Sequence, residues 1–201
     1  MAGNIRSAGW KCALLSRYIG CAVAAPSWYM RAESQAVRAG RQVAATCGLH
    51  AVNHCLHSLH HVFTWAEFDA RAMPNEKNRH GDWEAAVLQR NVEAVGGFMT
   101  PMIGDAHQDL ARWCPDIARL ALWTPGTLGC VVHVPGHWVA LTRPEGAQTE
   151  QAAALLCDSL HQRPCTISVE EVGELFAVIA ARQQVDDLER AGEWSVYVIS
   201  R

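Results

Sequence analysis

A thiol, an imidazole and a carboxylate can together make a nucleophile, its base and the group that orients the base, and this chain holds all three in ordered settings. Cys47 directly follows Thr46, at the start of a segment where Leu49, Val52, Leu56 and Leu59 recur at the spacing of one helix face. Thr46 is a favourable N-cap, so Cys47 is predicted in a first helical turn. Unpaired N–H groups and the positive dipole end favour a thiolate there. His137 opens the strand-like run Gly136-His137-Trp138-Val139-Ala140-Leu141, and a strand start can hold an imidazole at fixed distance from a nucleophile. Trp138 is expected to shield such a site from water. Asp158 ends Leu155-Leu156-Cys157-Asp158; if that strand pairs beside His137, its carboxylate can accept the second ring N–H. Gln42, five residues before Cys47, can donate with the Cys47 backbone N–H to a developing oxyanion. Each residue also has a structural reading of equal local quality: a core cysteine, a hairpin histidine, a strand-end aspartate, a loop glutamine. Their order and contexts together carry the catalytic reading.

The elements that must position these groups follow from pattern. Thr64 and Glu67 form a capping box, with Phe63 and Phe68 as its hydrophobic staple. A helix is predicted from Asp82 to Val95, with Trp83, Val87, Leu88, Val92 and Val95 inward and Gly96-Gly97 as its stop. The period then changes: runs rich in Val and aromatic residues predict strands over Leu128–Val134 and His137–Thr142, and Ala153–Asp158 and Ser195–Ser200 read as further strands. Pro135-Gly136 suits the central pair of a type II turn between the first two. Ser168 and Glu171 form a second capping box, stapled by Ile167 and Val172, ahead of a helix face of Val172, Leu175, Phe176 and Ile179. Helices first and antiparallel strands later predict an α+β fold, with helices packed on a central antiparallel sheet.

Composition narrows the classes. Half of the 201 residues are apolar, enough for a sizeable core. A net charge of −3 argues against a nucleic-acid partner. The charge is uneven: Arg6, Lys11, Arg17 and Arg31 precede the first acid, Glu33, and taking those four from 17 basic residues leaves 13 against 20 acids, a balance of −7. Residues 1–32 therefore read as a basic N-terminal extension, either an organelle-targeting or signal segment or an unpacked extension, and residues 33–201 as one domain. The apolar run Tyr18–Met30 is short for a bilayer span, so membrane insertion is not expected. The eight cysteines include no C-x-x-C pair, and reduced, buried thiols in an intracellular (cytoplasmic or nuclear) setting are expected.

Several segments resemble the Josephin-domain deubiquitinases, a papain-like cysteine peptidase family. Gln42-Val43-Ala44-Ala45-Thr46-Cys47 followed by His50-Ala51-Val52-Asn53-His54-Cys55-Leu56 is similar to its nucleophile helix. Gly81-Asp82-Trp83 before Val87-Leu88 is similar to its middle helix, His137-Trp138-Val139-Ala140-Leu141 to its histidine strand, Leu156-Cys157-Asp158-Ser159-Leu160 to its third-member strand, and Ser195–Ile199 to its last strand. The resemblance covers about residues 33–200. It implies a papain-like fold, Cys47 as nucleophile, His137 as base, Asp158 as orienter, Gln42 as oxyanion donor, no cofactor, and ubiquitin or a ubiquitin-like protein as partner. It also implies that an element near the exposed connection Ala72–Gly81 helps hold ubiquitin. Two departures stand out. The aromatic-His-Glu-x-Gln approach is only loosely matched by Tyr29–Gln35, which makes Gln35 a rival to Gln42, and the loop Arg143–Gln151 is longer than usual. A general papain-like peptidase or acyltransferase, or an inactive ubiquitin-binding module, are the neighbouring alternatives.

One pattern points elsewhere. His50, His54, His57 and His61 recur at helical spacing, away from the leucine stripe. Such imidazoles can bind zinc or copper, although no H-E-x-x-H metalloprotease signature is present. The competing expectation is a solvated helix face.

Overall fold

The computed structural model describes residues 46–76, 83–103, 119, 121–134, 137–145, 147, 153–159, 164–185 and 194–201. Gln42, Gln35, the extension 1–32 and the Pro135-Gly136 pair lie outside the described residues. The fold is α+β. Helices α1 (Cys47–Leu56), α2 (Trp65–Asp69) and α3 (Ala85–Glu93) come first; strands β1 (Phe98–Ile103), β2 (Thr127–Val134), β3 (His137–Thr142), β4 (Ala154–Cys157) and β5 (Cys165–Ile167) follow, then helix α4 (Val169–Val185) and strand β6 (Ser195–Ser200). The strands form one six-stranded sheet in the order β1-β6-β2-β3-β4-β5, and all its pairings are antiparallel.

Period-two alternation divides the core between the two faces of this sheet. Val132, Val139, Leu141, Leu156 and Val196 join Val172, Leu175, Phe176 and Ile179 of α4. Val131, Trp138, Ala140, Leu155, Cys157 and Ile199 join Leu49, Val52 and Leu56 of α1 and Val87, Leu88 and Val92 of α3. Strand β3 is buried at every position, because it lies inside the sheet with apolar layers on both faces. A histidine at its first position thus sits on a strand enclosed on both faces.

Two strands were not legible in the pattern. The run Phe98–Ile103 contains Pro101, which cannot donate to a ladder; it forms β1 at the sheet edge, paired only with β6 and with an irregular register between Pro101 and Ile103. Strand β5, three residues long, is the other edge. The helix expected from Asp82 begins instead at Ala85, with Glu84 as an extended N-cap residue. At its end, Gly96 takes φ 77° and the Gly97 N–H donates to Val92 O at 3.1 Å, a closure that needs left-handed backbone.

Between α2 and α3 the chain is braided in place. The Arg90 Nε donates to Arg71 O at 2.9 Å and its guanidinium pairs with Glu76, while the Glu84 N–H donates to Glu76 O at 3.1 Å. The connection expected to be exposed is so from Met73 to Asn75, but Glu76 is buried; residues 77–82 lie outside the described residues.

Candidate active site

Cys47 opens α1, as its place after Thr46 predicted, and its side chain is 1% exposed. The cap differs from expectation. Thr46 has φ −107° and ψ 1°, and its side chain makes no capping hydrogen bond. The helix start is held by packing, not by a threonine cap. The residue after the nucleophile candidate shows how tightly: a Cβ on Gly48 would come within 3.1 Å of Leu88 Cδ1 and 3.5 Å of Trp138 Cδ1. Glycine there lets the first turn of α1 lie directly against α3 and the sheet.

His137 begins β3 opposite Val134, and Asp158 follows the end of β4. The β3–β4 register pairs Ala140 with Cys157, which brings the start of β3 beside the residue that follows β4. His137 Nε2 and Asp158 Oδ1 are 2.8 Å apart, and the two side chains are 6% and 2% exposed. With the carboxylate accepting at Nε2–H, Nδ1 is the ring nitrogen left for Cys47, with whose side chain His137 is also hydrogen-bonded. Burial pulls the imidazole's pKa down, but the hydrogen bond and charge of Asp158, together with those of Cys47, outweigh it and raise it from 6.5 to about 9. At neutral pH His137 is therefore an imidazolium held against the Asp158 carboxylate. The structure thus brings Cys47, His137 and Asp158 together; the position of Gln42 is outside the described residues.

The other described thiols sit differently. Cys55, two turns along α1, is completely buried with its Sγ 3.6 Å from Cys130 O. Burial first, then Cys130 and Cys157, push its pKa well up, and burial pushes Cys130 up to about 12. These are neutral core thiols at physiological pH. All five described cysteines are free.

Trp138, expected to shield the site, is itself only 1% exposed. Its Nε1 donates to Trp83 O at 3.2 Å, and the half-buried His133 ring lies over it, with centroids 4.0 Å apart and planes 14° apart. Gly48, His133 and the Trp83 carbonyl escaped the sequence reading. One signal could have found His133: a two-residue turn at Pro135-Gly136 dictates the pairing of His133 with Trp138, which is the register observed.

The histidine stripe does not form a solvated face. His50 and His54 are 4% and 0% exposed, and their ring centroids are 6.5 Å apart. α1 ends at Leu56, and His57–Leu59 tighten into a 3-10 turn closed by left-handed His60, so the helical period stops before His61. Among the described residues no group of three or more His, Cys, Asp or Glu side chains is placed to hold a metal ion. No described helix is long and apolar enough to cross a membrane.

No protein-family model matches the chain, and no curated protein matches it.

Proposed function

We propose that this protein is a cysteine-type deubiquitinase of papain-like, Josephin-like architecture, in which Cys47, His137 and Asp158 cleave the bond after the C-terminal Gly-Gly of ubiquitin or a ubiquitin-like protein. The observation that carries the reading is the buried line from the α1 start through His137 to Asp158, with the 2.8 Å bond at Nε2. The resemblance of these same segments to the Josephin domains supports the substrate class, as does the −7 balance of residues 33–201, which offers acids to ubiquitin's basic tail and raises encounter rates.

The chemistry follows from the charge state. The ring takes the proton of the Cys47 thiol at Nδ1 while Asp158 holds its Nε2–H, and the imidazolium so formed is the state that its raised pKa favours. The thiolate attacks the scissile carbonyl carbon. The oxyanion that forms is held by the Cys47 backbone N–H and the Gln42 side-chain amide. Nδ1–H then protonates the leaving amine, the C–N bond breaks, and a thioester remains. His137, now neutral, takes a proton from water, which attacks the thioester and releases the carboxylate. Asp158 keeps its hydrogen bond throughout and holds the ring in one orientation.

The direct test is incubation with a ubiquitin C-terminal electrophile, followed by mapping of the modified residue. Modification at Cys47 is expected. Comparison of fluorogenic amides of ubiquitin, ubiquitin-like proteins and short peptides tests the substrate. Fast turnover of the peptides alone would sink the ubiquitin assignment and leave a general papain-like peptidase or acyltransferase. Gln42→Ala should lower kcat by about 10²–10³-fold with little change in KM, the loss expected for one oxyanion donor; the same loss at Gln35→Ala alone would move that role upstream.

A further inference from the structure

We propose that His133 is a positioning residue for the thiol–imidazole pair, acting through the Trp138 indole on which it is stacked. The inference rests on the reading of Cys47 as the reactive thiol. Trp138 occupies the point where three things meet: it follows His137 in β3, it approaches the Gly48 backbone beside Cys47, and it ties β3 to the segment before α3 through the bond to Trp83 O. The separation between the start of α1 and the start of β3 is therefore set by where the indole lies.

One edge of the indole is fixed by that hydrogen bond, and its Cδ1 side by α1. Tyr197 of β6 packs on it at a tilted 6.1 Å between centroids. The broad contact is His133, its cross-strand partner, whose ring lies nearly parallel at 4.0 Å. An aromatic pair in stacked geometry resists both tilt and slide. A small side chain at position 133 frees one face of the indole, which can then rock about the Nε1 bond. Gly48 has no Cβ to limit that motion, so the first turn of α1 follows it. The consequence is a looser contact between Cys47 and His137, with the residues that bind and orient them unchanged. His133 works through Trp138, against which its ring is stacked.

The readout is the rate at which a small alkylating agent, iodoacetamide, modifies Cys47 in the intact chain at pH 7, with the labelled residue mapped and the rate corrected by Cys47→Ala. This assay needs no ubiquitin. It therefore separates failure of the positioning role from failure of the deubiquitinase reading, which is scored on wild-type protein with ubiquitin amides. His133→Ala should slow Cys47 alkylation by about tenfold, since small misplacements of a reacting pair carry rate losses of that order or more. His133→Phe keeps a flat ring and should restore most of the rate. His133→Leu keeps bulk without a plane and should restore little, even when its thermal midpoint matches that of His133→Phe. On ubiquitin amides, if they are turned over, the Ala variant should lose kcat and keep KM. An unchanged alkylation rate in His133→Ala overturns the proposal. So does equal rescue by Phe and Leu, which would reduce His133 to filler, or a failure of Phe to rescue, which would assign the effect to a polar contact of the imidazole.

Discussion

The helix that carries Cys47 and the two helices that follow capping boxes begin in opposite ways. At α2 the Thr64 side chain accepts from the Glu67 N–H at 3.3 Å, and Glu67 Oε2 accepts from the Thr64 N–H at 2.8 Å. At α4 Ser168 and Glu171 make the same reciprocal pair at 3.2 and 2.7 Å. At α1 the Thr46 side chain makes no capping bond, and Thr46 is not in the extended conformation that Thr64 adopts. A capped start satisfies its N–H groups from within the helix and needs no neighbours. The α1 start relies instead on burial against β3 and α3. The lesson is that local capping makes a helix stable on its own terms, whereas an uncapped start leaves its N–H groups for whatever charge develops beside it.

The contrast can be broken in order of effect. Cys47→Ala should remove turnover of ubiquitin amides entirely while leaving the thermal midpoint near wild type, because a small buried side chain replaces another. Near-wild-type turnover in that variant, with loss in Cys55→Ala, would place the nucleophile at the wrong end of α1.

Next in size is Asp158. Asp158→Ala should lower kcat by about 10²-fold or more, within the range for a displaced acid–base group. Asp158→Asn should keep measurable activity, since an amide oxygen can still accept from His137 Nε2–H. Negligible and equal losses in both variants would take Asp158 out of the site.

A smaller effect lies in the pH dependence of stability. The folded chain holds the His137 proton more tightly than the unfolded chain, with the pKa raised from 6.5 to about 9. The stability from this linkage is present in full below about pH 6.5 and is lost as pH rises through about 9. Thermal midpoints measured from neutral to alkaline pH should therefore fall across that window, and the fall should begin at lower pH in Asp158→Asn, which lacks the carboxylate charge. A flat profile in wild type would contradict the buried imidazolium.

The smallest effect concerns the caps themselves. Thr64→Ala should destabilise by about 1 kcal/mol, the usual cost of a lost N-cap, with no change in kcat. Thr46→Ala should cost less, having no capping bond to lose. Equal losses in denaturant unfolding would erase the difference between the two starts.

Local features were legible where short-range chemistry decides them. Both capping boxes, the Gly96 stop and the core faces of α1 and α4 were read from spacing, because each depends on residues within a turn or two. The Phe63–Phe68 staple was as well; its rings meet edge-on at 6.0 Å. The strands β2, β3, β4 and β6 were legible as short apolar runs, Val-rich or aromatic in most of them. β1 did not, since Pro101 masks it and only pairing with β6 makes it a strand. β5 did not, being too short for any period.

By itself the sequence determined which side chains could do chemistry and which local element each would begin or end: Cys47 at a helix start, His137 and Asp158 at strand ends. Tertiary structure alone decided the distances and the charge. The 2.8 Å contact depends on the β3–β4 register, and the raised pKa depends on two acidic partners overcoming the burial of the ring. It also decided that His50 and His54 are core residues and that Trp138 lies beneath His133. The physical reason is range. Capping and periodicity are set by neighbours in the chain, but register, burial and electrostatic environment are set by residues tens of positions away, whose approach no local pattern encodes.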